Sequence, residues 1–330
     1  MSWDVIGHEW AAEILKQHVA QHSQRHAYLF SGPPAVGRRT LALRFAQALN
    51  CPQPPAPGEP CRTCRVCRQI ERMQHPDLLL VQAEQEGKDL KVDSIRTLQH
   101  HLSLSPYEAN FRVALLLRFQ EANANAANAL LKTLEEAPSQ AILLLTADTP
   151  EGLLPTIVSR CEVLRLRPMR LQDLEAHLHD HRGIETGQAR LLAHLSSGRL
   201  GFALRMHANP GLLERRQEWL NDLRRMLDSP HRTRFVYAER ICRDKENFRQ
   251  ALLVWLSYWR DVFLCAARAG TPLVNLDREP ELREVANWVD LPYARALVGE
   301  TEKALARLEA NINPRLLAEV LLLGWPRMSV

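Results

Sequence analysis

Five short, nearly continuous apolar runs punctuate the first half of the chain: AYLF (27–30), DLLLVQ (77–82), VALLLRF (113–119), AILLLTA (141–147) and EVLRL (162–166). Runs of this length without polar alternation predict strands of a parallel sheet covered on both faces. Between them the period becomes helical. In RRTLALRFAQALN, Leu41, Phe45 and Leu49 recur every four residues on one face. Strand–helix alternation up to residue 168 predicts a doubly wound α/β domain with a five-stranded sheet. After RLRPM the strand signal stops. A small helical unit is predicted over 169–208 and a larger helical domain over 209–330, with Trp219, Trp255, Trp259 and Trp288 as its large core candidates. The stretches HANPG, LDSPH, RAGTP and NINP should end helices.

The length of 330 residues agrees with more than one core. At 46% hydrophobic and 24% charged, the composition is that of an ordinary globular protein. No apolar run reaches the roughly 18 residues of a membrane span. The opening MSWDVIGHEW lacks a basic start followed by an apolar stretch, so a cytoplasmic protein without a membrane partner is expected. The net charge of +4 is spread among interspersed acids and bases, as on solvated helix faces. No nucleic-acid-binding signature stands out, so any contact with DNA is expected within a larger assembly.

Four cysteines lie within CPQPPAPGEPCRTCRVC: Cys51, Cys61, Cys64 and Cys67. Two-residue gaps let thiolates converge on one ion, and four thiolates leave no open coordination position. The array therefore predicts a structural zinc module at 51–67. An iron–sulfur cluster is the alternative, although the flanks do not match ferredoxin runs. Clustering in a cytosolic context argues against disulfides. Cys161, Cys242 and Cys265 stand alone and are expected to be buried as small apolar residues.

SGPPAVGRRT (31–40) places Gly32 and Gly37 at the spacing of a phosphate-binding loop, between a strand and a helix. Arg38 occupies the lysine position, and Arg39 the position of the hydroxyl that would ligate magnesium. Thr40 lies one residue too far, about 100° around the helix. The strand-end positions where a hydrolytic enzyme keeps its acids fall on Leu117 and Arg118, with Glu121 off register. The loop shape is retained and its chemistry is missing, so hydrolysis at this site is not expected.

WDVIGHEWAAEILKQHV, the loop and its helix, the cysteine array, HPDLLLV, LKVDSIRTL, NANAANALLKTLEEAP, TIVSRC and NPRLLAEVLLL follow one another in this order. Taken together they resemble the bacterial clamp loader family of AAA+ type, over nearly the whole chain. The resemblance implies an AAA+ α/β domain (1–168), a three-helix lid (169–208) and a helical collar for oligomerisation (209–330). The family loop GPPGTGKT is matched at Gly32, Pro33, Pro34 and Gly37, with departures at Ala35, Arg38 and Arg39. Productive ATP is therefore not expected there, and subunits with such an inactive site occur in the family. Ser159, Arg160 and Cys161 form its SRC motif, whose arginine is implied to reach the ATP of an adjacent gamma/tau subunit as a finger in trans. Arg199 stands where related ATPases keep a sensing residue on the lid; the alternative is a solvated arginine at a helix start. The implied partners are gamma/tau ATPases and a delta subunit, and through them the sliding clamp and primed DNA. The implied role is a non-hydrolysing scaffold within DNA polymerase III holoenzyme. The alternatives are an ATP-hydrolysing gamma/tau-type subunit and a zinc-dependent DNA-binding module, the latter without an evident basic reading surface.

Overall fold

The computed structural model describes residues 3–328; the two residues at each end, which fall inside the outer predicted domains, lie outside the described residues. The chain divides into two compact units. One comprises the residues up to Met169 with Arg199–Gly201, the other Arg170–Gly198 with the residues from Phe202 onward.

The first unit runs α1 (Glu9–Ala20), β1 (Ala27–Ser31), α2 (Arg38–Asn50), α3 (Arg65–Glu71), β2 (Leu78–Val81), α4 (Val92–Leu102), β3 (Arg112–Leu116), α5 (Ala124–Glu135), β4 (Ala141–Ala147), the single-turn α6 (Pro155–Val158) and β5 (Glu162–Arg165). The strands form one sheet in the order β2-β3-β4-β1-β5, and every pairing is parallel. All five predicted strands form. The third ends earlier than its apolar run because Arg118 turns into the left-handed region at φ 50. Its amide donates to Thr146 Oγ1 at 2.9 Å, and a 3-10 turn over Phe119–Glu121 follows.

Side-chain alternation splits this domain into two cores. Tyr28 and Phe30 face Leu41, Phe45 and Leu15, whereas Ala27 and Leu29 face Ile95, Leu98, Leu130 and Leu134. Each fully buried Leu or Phe contributes about 1.5–3 kcal/mol, and the one side-chain polar atom of β1 before Ser31, the Tyr28 hydroxyl, accepts from the Arg25 amide at 2.9 Å.

The second unit contains α7 (Leu171–Arg182), α8 (Thr186–Ser196), α9 (Leu200–Ala208, whose first residues belong to the other unit), α10 (Pro210–Leu227), α11 (His231–Ile241), α12 (Lys245–Ala266), α13 (Glu279–Trp288), α14 (Leu291–Glu309) and α15 (Pro314–Leu323). The helices end at all four predicted breaks. Those of 170–198 share their compact unit with the helices after 209: His194 Nδ1 lies 2.6 Å from the Leu273 carbonyl.

The centre is α12, whose Trp255 and Trp259 are fully buried. Trp325, unnoticed in the sequence because it follows a helix end, stacks edge-on against both at 5.0 and 5.7 Å. Trp219 is only partly buried, and Trp288 is 56% exposed, contrary to expectation. Trp288 is the last residue of α13, and Val289 turns inward where the helix stops.

Arg234 is also buried. Its guanidinium donates to the carbonyls of Met226, Leu227, Leu322, Trp325 and Pro326. One cation thereby ties together the C-terminal carbonyls of both α10 and α15, where its charge suits the negative helix ends.

Candidate functional site

The parallel sheet sends β1, β3 and β4 out at one edge, and the predicted loop residues 32–38 meet the ends of β3 and β4 there. Gly32 opens the loop after β1 at φ 150. A Cβ at this position would stand 2.4 Å from the Leu166 carbonyl, so the glycine is required by the passage of the chain leaving β5, whatever the loop binds. The Gly32 amide donates to the carbonyls of Ala147 and Asp148 at 3.2 and 3.1 Å. Ala35 adopts φ 64, a left-handed conformation that costs a non-glycine residue about 1–2 kcal/mol. Its carbonyl accepts from the Gly201 amide at 3.1 Å. Buried His8 holds the next carbonyl, that of Val36, at 2.9 Å. Gly37 is the N-cap of α2. The cradle is thus held in shape by the protein itself.

Its charge is also met internally. Arg38 Nη1 lies 2.7 Å from Asp148 Oδ1, the residue just after β4, and the arginine side chain is only 10% exposed. Asp148 was not singled out in the sequence; only the β1–β4 pairing brings it beside the loop. At the end of β3, Leu117 is buried and Arg118 Nε pairs with Glu121 Oε1 at 2.9 Å. The Gly87 amide donates to the same oxygen at 3.0 Å. Glu121, the one acid near the predicted position, is therefore engaged by its own neighbours. Arg39 and Thr40 point to solvent.

Arg160 lies past α6, separate from the loop's ion pair. Its Nη1 donates to the Thr156 carbonyl at 2.9 Å, and its Nη2 pairs with Glu135 Oε1 at 2.6 Å. Both partners remain accessible, with side chains 35% and 51% exposed. Ser159 caps α6 and donates to the Thr156 carbonyl at 3.2 Å. Cys161 is half-buried rather than buried, as are Cys242 and Cys265. Burial pushes the Cys161 thiol up to about 12, leaving it neutral.

The four clustered cysteines converge. Their sulfurs all lie within 4.8 Å of one another, and Cys61 and Cys67 are 3.9 Å apart. Amides of Cys61, Cys64 and Cys67 point at the sulfurs of Cys51, Cys61 and Cys64 at 3.3–3.4 Å. Burial opposes ionisation of Cys61, but the amides of Cys64 and Thr63 outweigh it and bring the thiol down to about 6. The group could hold a metal ion. Gly58 allows the chain to double back: at φ 75, a Cβ would meet the Lys16 carbonyl at 2.3 Å. Buried Arg44 and Gln47 of α2 fasten the segment by binding Glu71, and Gln47 also donates to the Cys67 carbonyl at 2.7 Å. Neither residue stood out in the sequence, because both lie within an otherwise ordinary helix.

The sequence model of a family described as DNA polymerase III, delta subunit, matches residues 7–170. DNA polymerase III subunit delta' of Pseudomonas aeruginosa is 30% identical, with 96% of each chain covered. Subunit tau of Escherichia coli is 32% identical, but the match covers only 61% of this chain and 31% of that one. A DNA polymerase III gamma subunit-related protein from Thermotoga maritima has a similar fold, with a TM-score of 0.51 at 19% identity, covering 94% of this chain and 97% of that one. Among the described residues, no helix is long and apolar enough to cross a membrane.

The Arg38–Asp148 pair leads to a direct test. A partly exposed ion pair is worth up to about 1 kcal/mol. Removing the carboxylate in Asp148→Ala should therefore strengthen pyrophosphate binding by about fivefold, as measured by calorimetry. Unchanged binding would mean that the pair does not guard the loop.

Proposed function

The chain belongs to the family of DNA polymerase III delta-prime subunits, and on that premise we propose that it is the non-hydrolysing member of a clamp loader. In this reading it joins gamma/tau ATPases and a delta subunit in the cytoplasm, and the assembly places a sliding clamp on primed DNA. The observation that carries the reading is the Arg38–Asp148 pair in a loop whose shape the protein maintains unaided. A working loop needs a lysine facing phosphate, a hydroxyl on magnesium and free strand-end acids. Here the cation is engaged by a carboxylate, Arg39 replaces the hydroxyl, and Glu121 is held by Arg118 and Gly87. The gamma/tau-type alternative requires all three parts.

Arg160 is the residue offered to a neighbour. Its pair with Glu135 is exposed at both ends, so releasing it costs no more than about 1 kcal/mol. A planar guanidinium can then fork onto phosphoryl oxygens as charge develops on them. Ser159 and the neutral Cys161 flank it as structural members of the motif. The helices of 169–208 serve as the lid and those after 209 as the collar.

Removing a finger in trans costs about 10³–10⁵ in rate at the site it serves. Arg160→Ala should leave folding and assembly intact while slowing single-turnover ATP hydrolysis at one site of the complex, and Arg160→Lys should rescue poorly. Wild-type hydrolysis and clamp loading by an assembled Arg160→Ala complex would reduce Arg160 to a residue that caps α6.

The cysteine cluster is assigned as a structural zinc site. A tetrahedron of Zn–S bonds of about 2.3 Å separates its sulfurs by about 3.8 Å, close to the spacing of Cys61 and Cys67. Four thiolates close the coordination shell, so zinc here organises the segment rather than activating water. Purified protein should carry one zinc per chain. Cys64→Ser should lose it, together with hydrogen-exchange protection over 51–72, while the sheet stays protected. Metal-free protein, or iron with visible absorption, would contradict the assignment.

A further inference from the structure

Beside the cysteine cluster lies a cleft of about 670 Å³, lined by Cys61, Arg62, Thr63, Arg68, Glu71 and Arg72 among others. Arginines recur through this segment at 62, 65, 68 and 72. Positions 65, 68 and 72 are spaced by three and four residues, which gathers them on one face of α3 and its C-cap. All three are exposed.

The negative groups here are already occupied. Glu71 accepts from Arg44 and Gln47, and Asp4 pairs with Arg62 at 3.1 Å. Among the described residues, Arg65, Arg68 and Arg72 make no ion pair with any carboxylate. Elsewhere the chain matches many of its arginines to acids, as at Arg38, Arg118, Arg160 and Arg216. The cleft is thus a place where the exposed Arg68 and Arg72 share a lining with Thr63. Only the fold shows that the acids of this region are used up.

We propose that this cleft binds the phosphate backbone of single-stranded DNA, with Arg68 and Arg72 contacting phosphates and Arg62 and Thr63 completing the rim. The proposal rests on the reading that the chain works at primed DNA. Guanidinium groups suit phosphate because their donors lie in a planar fork. No aromatic side chain lines the cleft, so there is no platform on which bases could stack. Binding should accordingly be indifferent to sequence, modest in affinity and strongly weakened by salt. Neutralisation of the metal-bound thiolates is the competing role for these arginines. The amides aimed at the sulfurs already serve that purpose.

The experiment uses the full-length, zinc-loaded chain alone, so its outcome is independent of Arg160 and of assembly. Fluorescence anisotropy with a labelled oligothymidylate is followed across a salt series. Non-specific phosphate binding of this type has a Kd of about 10⁻⁴–10⁻⁶ M at physiological salt, and each contact contributes about 0.7 to the slope of log K against log salt. The double variant Arg68→Gln/Arg72→Gln should bind more weakly and lower that slope by about 1.4, while keeping its zinc. Arg68→Gln alone should lower it by about 0.7, which preserves the test if the double variant misfolds. Arg232→Gln, at an exposed position on α11, should change neither quantity. An unchanged slope in the arginine variants would overturn the proposal. So would loss of zinc with unaltered DNA binding, which would give these arginines to the metal. Arginine-dependent binding of polyglutamate without binding of the oligonucleotide would also overturn it, in favour of an acidic protein partner.

Discussion

Because the five strands run parallel, every strand leaves the sheet at the same edge, and helices must cover both faces on the way back. The rest of the first unit follows from that constraint. It places the loop after β1 beside the residue after β4, so that Arg38 and Asp148 meet although 110 residues separate them. It turns the chain leaving β5 against Gly32, making that glycine a requirement of the fold before it is a requirement of any ligand. The loop can therefore keep this shape whether or not a nucleotide binds in it. The backbone shape is determined by the sheet, whereas the charged side chains that would act on a nucleotide are free to change.

The arginines at the candidate sites differ in what holds them. Arg38 is largely buried against its acid, and Arg118 closes on Glu121 within the same turn. Both cations are consumed at home. Arg160 stands at the end of a single-turn helix in an exposed pair, an arrangement that holds the side chain in place at little cost to its release. Of the arginines beside the cysteine cluster, Arg62 pairs with Asp4, whereas Arg65, Arg68 and Arg72 pair with no acid among the described residues. Buried Arg44 and Gln47 anchor the segment that bears them to α2, which gives those exposed cations a fixed platform.

Much of this arrangement was legible in the residues. Apolar runs located all five strands, turn residues located the helix breaks, and spacing brought Cys51, Cys61, Cys64 and Cys67 together before any fold was known. What stayed hidden depends on neighbours distant in sequence. Nothing local marks Asp148 as the partner of Arg38, Glu135 as that of Arg160, or Trp325 as a core residue. Periodicity also misjudged Trp288, since the stripe of α13 runs out just where the helix ends. Half-buried Cys161, Cys242 and Cys265 show the same limit: a small apolar residue is compatible with an interior but does not demand one.

The central claim is that this chain contributes an arginine to a neighbour's nucleotide and uses none of its own. A structure of the clamp loader assembled with gamma/tau and delta, bound to a non-hydrolysable ATP analogue, tests both halves at once. The account predicts that Arg160 leaves Glu135 and lies within about 3 Å of phosphoryl oxygens on the adjacent subunit, while Arg38 stays on Asp148 and the loop from Gly32 to Gly37 holds no nucleotide. An analogue seated in this chain's own loop, with Arg160 still paired to Glu135, would contradict it.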